Sequence, residues 1–113
     1  MMKHKIVLVP FPFDDLSSSK VRPAVCLTDE IQPYGHIVLA FITSTVSPNP
    51  SVTDFTIDSQ DADFAQTGLK VSSTIRLHRL MTISKTIIQR KLGELSSTQQ
   101  TEIENRLRTL FRI

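Results

Sequence analysis

The feature that most limits how this chain can fold is the point where its apolar spacing changes period. From Lys5 to Leu95 the apolar residues come in short, β-branched runs broken by Pro, Gly, Asn, Asp or Ser. Only beyond Ser97 does the spacing turn helical, through Ile103, Leu107, Leu110 and Phe111. Strands therefore have to build the body of the fold, with one helix at its end.

The runs can be placed in order. KIVLVPFPF (Lys5 to Phe13) reads as a strand. Successive N–H groups of a strand point to opposite edges, so Pro10 and Pro12 remove donors from the same edge, and the strand can still pair on its other side, at an end or a sheet margin. DDLSSSKV (Asp14 to Val21) is a loop, and RPAVCL (Arg22 to Leu27) a second strand. QPYG (Gln32 to Gly35) has the composition of a type I turn. HIVLAFIT (His36 to Thr43) is apolar on both faces and is expected at the centre of the sheet. After a loop, VTDFTID (Val52 to Asp58) puts Thr53, Phe55 and Ile57 on one side of a half-buried strand. DSQDADFAQTG (Asp58 to Gly68) is a loop with at most one helical turn. SSTIRLHRLMTI (Ser72 to Ile83) alternates, with Ile75 and Leu77 opposite Arg76 and His78. KTIIQRKLGEL (Lys85 to Leu95) reads as a short strand ending near Gly93. Ser97 with Gln100 three residues on is a capping-box pattern, which predicts a helix from about Thr98 to Phe111. The sum is a mainly β fold: a compact, mostly antiparallel, barrel-like sheet covered by a C-terminal amphipathic helix.

A chain of 113 residues supports one domain, here spanning 1–113. Cys26 is the sole cysteine, so an internal disulfide and a thiolate metal cluster are excluded, and it reads as a small buried hydrophobe. The longest apolar run is too short to span a bilayer, and no signal-peptide pattern opens the chain. The expectation is a soluble, cytoplasmic protein. With only three glycines, neither a Walker A loop nor a dinucleotide fingerprint fits. HExxH and GxSxG are absent as well. Asp58, Asp61 and Asp63 lack the spacing of a calcium loop and read as a solvated acidic loop. No metal and no cofactor is expected. His4 and His36 read as surface histidines.

Charge is segregated despite a net value of only +2. Pro23 to Leu69 contains no Lys or Arg, whereas Lys70 to Gly93 contains no acid but carries Lys70, Arg76, Arg79, Lys85, Arg90 and Lys91. Such a layout either pairs with itself on folding or leaves a basic surface for phosphates. Polar groups collect at the strand ends: Arg22, Thr43 with Ser44, and the pair Arg76 and His78. Arg76 and His78 stand two apart on one strand and so share a face, although alternate polar residues on a strand often simply face water. Their chemistry suits metal-free cleavage of RNA by the adjacent 2′-OH. That reaction needs a base for the 2′-OH, an acid for the leaving 5′-oxygen, and donors for the equatorial phosphate oxygens. Histidine titrates near neutrality, arginine donates paired hydrogen bonds to phosphate, and Thr and Ser add neutral donors. Pro23 fixes its own φ and holds Arg22 extended, which makes this junction a stiff mount for one side chain beside Thr43.

In order along the chain, VRPAVCL, LAFITS and STIRLHRLMTIS, with the opening IVLVPFPF and the helical tail, resemble the MazF/PemK toxins of type II toxin–antitoxin pairs. The resemblance covers nearly the whole chain. It implies an SH3-like barrel of the MazF/CcdB/Kid-like kind with a terminal helix, assembled as a homodimer. It also implies a metal-independent, sequence-specific endoribonuclease, an mRNA interferase, that cleaves single-stranded RNA to 2′,3′-cyclic phosphate and 5′-OH ends. By position, Arg22 would be the catalytic arginine, Thr43 its hydroxyl partner, and Arg76 an acid and phosphate ligand. Lys20, Ser19, Ser44, Arg79 and Lys85 are expected contacts to the RNA. A cognate antitoxin would lay an acidic segment over the basic groove. His78 departs from the pattern, because the branch that uses Arg76 has an acidic residue there. His4 and Lys5 stand where a Gly and an acidic residue are common, and the loop Asp14 to Val21 lacks the family's Gly-rich or His-containing forms, so the RNA target does not carry over. Two other readings remain. One is a non-catalytic gyrase poison like the related CcdB toxins, which rely on a Trp that this chain lacks. The other is a module that binds nucleic acid or a peptide and lost catalysis through the His78 change.

Overall fold

The structure, a computed structural model, describes residues 1–10 and 20–113. Six strands form one antiparallel sheet: β1 (Lys5–Pro10), β2 (Val21–Cys26), β3 (His36–Thr43), β4 (Asp54–Ile57), β5 (Ser73–Ser84) and β6 (Arg90–Glu94). The spatial order is β4-β5-β3-β2-β1-β6, and the C-terminal helix α1 spans Ser97–Phe111. The mainly β architecture with a terminal helix is as the sequence indicates.

Strand β3 lies inside the sheet between β2 and β5, and its apolar residues divide between two cores. Ala40 and Ile42 join Ile6, Val25, Ile57, Ile75 and Leu77 on the concave side, which Leu95 and, from α1, Ile103 complete. Ile37 and Leu39 join Val7, Val9, Ala24, Cys26 and Ile83 on the other side. Residues of both parities are buried, so these strands read as continuous apolar runs rather than strict alternations. Cys26 is fully buried, and burial pushes its thiol pKa up to about 11.

Curling brings the far edge of the sheet back onto itself. The 3-10 turn Ala65–Thr67 and Gly68 meet β6, where no Cβ fits. A methyl on Gly68, which has φ +73°, would sit 2.1 Å from the Leu92 carbonyl oxygen, and one on Gly93 would sit 2.2 Å from that of Gln66. Two of the three glycines therefore make the close backbone approach that turns the sheet into a half-barrel.

Several expectations change. Strand β1 is not marginal: it pairs with β2 on one side and β6 on the other. Its β6 ladder stops at Leu8, before Pro10, so that proline's missing donor costs no bond there; Pro12 lies outside the described residues. The Gly35 N–H donates to the Ile31 carbonyl at 2.9 Å, so the turn closes one residue wider than a type I turn over Gln32 to Gly35. Ser96, not Ser97, caps α1: Ser96 Oγ accepts from the Gln99 N–H, and Gln99 Oε1 accepts from the Ser96 N–H. The Ser-Ser and Gln-Gln doublets offer the motif in two registers, and burial of Gln99 selects the earlier one. Lys85 to Ile87 is a 3-10 turn, so the final strand starts only at Arg90. His4 is not a surface residue. Its side chain is 13% exposed beside Glu104, and burial lowers its pKa.

Candidate active site

A break in register builds the site. Strands β3 and β5 pair regularly from His36–Ser84 to Ala40–Leu80, then resume at Ile42–Ile75 and Thr43–Thr74. Arg76 to Arg79 thus stand opposite the single residue Phe41. A bulge of this kind swings its strand and re-aims the side chains it carries. Ile75 before it and Leu77 within it enter the concave core; after it, Leu80 packs there while Ile83 belongs to the opposite core. The alternation changes phase, so Arg76 and Arg79, three apart, line one cleft.

That cleft has a volume of about 290 Å³ and is lined by Arg22, Phe41, Ile42, Thr43, Thr45, Arg76 and Arg79. Arg22 comes from the start of β2, opposite Val9 and just before Pro23. Thr43 ends β3, and its Oγ1 accepts from the Thr45 N–H at 3.1 Å, which leaves its O–H to donate elsewhere. Arg76 Nε is buried with no hydrogen-bond partner among the described residues. Three guanidinium groups and two hydroxyls converge, and no carboxylate of the described residues lines the space. A dianionic or monoanionic phosphate is the ligand such donors suit, since the guanidinium fork matches its oxygens.

Behind Arg76, directly across the β4–β5 ladder, stands Asp54. Its Oδ2 accepts from the Ser51 N–H at 3.2 Å, while its buried Oδ1 has no partner among the described residues.

The sequence-derived residues divide clearly. Arg22, Thr43, Arg76 and Arg79 come together in the cleft. His78 does not line it. Two residues along β5 from Arg76 it is exposed, with Nδ1 3.2 Å from Thr53 Oγ1. Ser44 lines a second cavity of about 460 Å³, which shares Arg22 with the cleft and adds Lys70 and Arg90. Lys20 is exposed immediately before β2. Lys85 lies at the opposite end of β5, bound to Glu30 at 3.0 Å, and that contact holds the Glu30 carboxyl below its usual range. Ser19 lies outside the described residues. Phe41 and Thr45 were not singled out from sequence. Thr45 was within reach of the period-two rule, standing two beyond Thr43; Phe41 reads only as a core residue. Among the described residues no group of three His, Cys, Asp or Glu side chains is arranged to hold a metal ion. No helix among them is long and apolar enough to cross a membrane.

Known proteins provide an independent comparison. A family model described as PemK-like, MazF-like toxin of type II toxin-antitoxin system matches residues 3–111. None of the curated protein sequences matches the chain. Among solved structures, the Mycobacterium tuberculosis toxin MazF-mt6 superposes with a TM-score of 0.72 at 23% identity, over 96% of this chain and 97% of that one. An endoribonuclease in complex with its cognate antitoxin, from Mycobacterial species, gives 0.73 at 12% identity, over 100% and 96%. MazE-MazF from Deinococcus radiodurans gives 0.73 at 16% identity, over 100% and 96%. At these identities the likeness is one of fold.

Proposed function

Because the chain belongs to the PemK-like, MazF-like toxins of type II toxin–antitoxin systems, we propose that it is a sequence-specific endoribonuclease acting on single-stranded RNA without a metal ion. The observation that supports this most is the cleft that gathers Arg22, Thr43, Arg76 and Arg79, with no carboxylate among the described residues that line it. In this reading the scissile phosphate sits among the guanidinium groups. Arg22 and Thr43 donate to its equatorial oxygens, where charge builds as the 2′-oxygen attacks. His78 takes the 2′-OH proton and Arg76 donates to the departing 5′-oxygen, so one proton leaves the nucleophile and one reaches the leaving group. The P–O5′ bond breaks as the P–O2′ bond forms, giving a 2′,3′-cyclic phosphate and a 5′-OH. The second cavity, with Ser44, Lys70 and Arg90, extends the basic path past Arg22 for the flanking strand. Lys20 stands beside it as a backbone contact.

A homodimer would give each active site a second wall. A cognate antitoxin, with which the Mycobacterial endoribonuclease and the Deinococcus MazF were each solved, would cover the cleft with an acidic segment. The cytoplasm, where mRNA lies, is the compartment this reading requires.

The test is incubation of purified protein with single-stranded RNA in EDTA, with both product ends mapped. Cyclic phosphate and 5′-OH ends are expected, with Arg22→Ala losing on the order of 10²–10³ in rate, the usual cost of one transition-state donor. No cleavage, or cleavage that Arg22→Ala leaves unchanged, would refute it. Gyrase-dependent DNA breaks without RNA products would instead restore the gyrase-poison reading, and salt-sensitive RNA binding without products the binding-module reading.

A further inference from the structure

His78 is joined to a carboxylate it does not touch. Its Nδ1 lies 3.2 Å from Thr53 Oγ1, Thr53 Oγ1 lies 2.7 Å from Ser51 Oγ, and Ser51 Oγ lies 3.3 Å from Asp54 Oδ2. The segment that carries these groups is pinned from two sides. Leu77 N–H donates to the Thr53 carbonyl at 2.8 Å, tying it to β5. From α1, Arg106 Nη1 donates to the carbonyls of Val52 at 2.9 Å and Asp54 at 3.2 Å, one on each side of Thr53.

Proton counting gives the chain of hydroxyls a direction. An ionised carboxylate only accepts, and each hydroxyl has one proton to give. Ser51 uses its proton on Asp54 and already accepts from the Thr53 N–H at 3.3 Å. Thr53 must then donate to Ser51, and the remaining contact requires His78 to donate from Nδ1. The reversed order leaves Ser51 Oγ facing the Asp54 carboxylate oxygen with no proton between them, losing the charge-assisted bond. Only the forward order satisfies all three contacts. It also needs no rearrangement when the ring gains a proton, because Nδ1 donates in both the neutral and the charged imidazole.

We infer that Asp54, through Ser51 and Thr53, fixes His78 in the Nδ1–H tautomer and so leaves a bare Nε2 as a proton acceptor on β5, between the cleft residues Arg76 and Arg79. Thr53, Ser51 and Asp54 are positioning residues. Their use in catalysis rests on the ribonuclease reading, but the tautomer does not. The arrangement also accounts for a histidine at this place on β5: a base that could bond through either nitrogen is held to one.

The tautomer is read directly from long-range ¹H–¹⁵N spectra of the ¹⁵N-labelled protein, with His78→Gln identifying the signal. In the neutral ring, wild-type His78 is expected to show a protonated Nδ1 and a bare Nε2. Thr53→Val should release it towards a mixture, and Thr53→Ser should restore the wild-type pattern. A bare Nδ1 in the wild type, or a pattern that Thr53→Val leaves unchanged, would overturn the inference. For catalysis, Thr53→Val should lower kcat roughly tenfold with KM held, a part of the 10²–10⁴ that a general base contributes. A changed tautomer with unchanged kcat would overturn the catalytic role of the relay. If the wild type cleaves no RNA, the ribonuclease reading fails, and the spectra still decide for or against the relay.

Discussion

Cations lie towards both ends of strand β5, Arg76 and Arg79 within it and Lys85 just beyond it in the 3-10 turn, and the fold treats them oppositely. At the far end the ladder with β3 is regular, and Lys85 is matched to Glu30 at 3.0 Å, with Tyr34 stacked on His36 nearby. At the near end the ladder breaks, and Arg76 and Arg79 face a cleft that no carboxylate of the described residues lines. Among the described residues the near-end cations form no ion pair, and the buried Arg76 Nε has no hydrogen-bond partner. A paired cation at the surface is largely spent on its partner and on water, whereas convergent guanidinium groups retain their attraction for an anion. Position in the same acid-free segment is thus compatible with opposite uses.

Substitutions at the two ends sharpen this contrast. The largest expected effect is from Arg76→Ala, which should cost on the order of 10²–10³ in the single-turnover rate of RNA cleavage. Lys85→Ala should leave that rate unchanged, and equal losses from the two would break the comparison. Arg79→Ala should act on binding, raising KM roughly tenfold with kcat nearly kept, in line with one charge-assisted phosphate contact. Titrations at several salt concentrations check the same point more finely. Each near-end arginine removed should flatten the slope of log K against log salt by about 0.7, as expected for one phosphate contact to a single strand. Lys85→Ala should leave the slope as it was.

The smallest effect is at the far end. Lys85 holds the Glu30 pKa below its ordinary 4.5, so the pair adds stability above that pH and loses it as pH falls through the lowered value. Melting curves should show a slight drop for Lys85→Ala at neutral pH that closes at strongly acidic pH. A constant deficit at all pH values would mean that the lysine contributes packing rather than charge.

How much of this was legible beforehand follows from the range of each signal. Short-range signals carried the strands, the helix and the mount that Pro23 gives Arg22. The period-two rule put Arg76 and His78 on one face, but both fall within the bulge, and of the two only Arg76 lines the cleft. The bulge was not legible. Four residues of β5 opposite Phe41 alone is a property of two strands together, and strict alternation would have sent Arg79 to the face opposite Arg76. The partner of His78 was hidden for the same reason: Thr53 lies 25 residues away, and its backbone reaches β5 through Leu77. Charge counting could not separate Lys85 from Arg76, because Glu30 approaches Lys85 only once the β2–β3 connection has folded against the 3-10 turn. The helix cap was off by one because two doublets offered the same pattern.

The most direct test of the contrast between the two ends is an NMR titration with a short oligonucleotide whose 2′-OH is replaced by hydrogen at the cleavage site, so that it binds without reacting. The arginine Nε–H and lysine Nζ signals report each cation separately. The Arg76 and Arg79 Nε–H signals should shift together at substoichiometric ligand, with Lys85 Nζ unmoved. Shifts centred on Lys85, or an Arg76 Nε–H that stays in place while the oligonucleotide binds, would contradict the placement of the phosphate at the bulged end of β5.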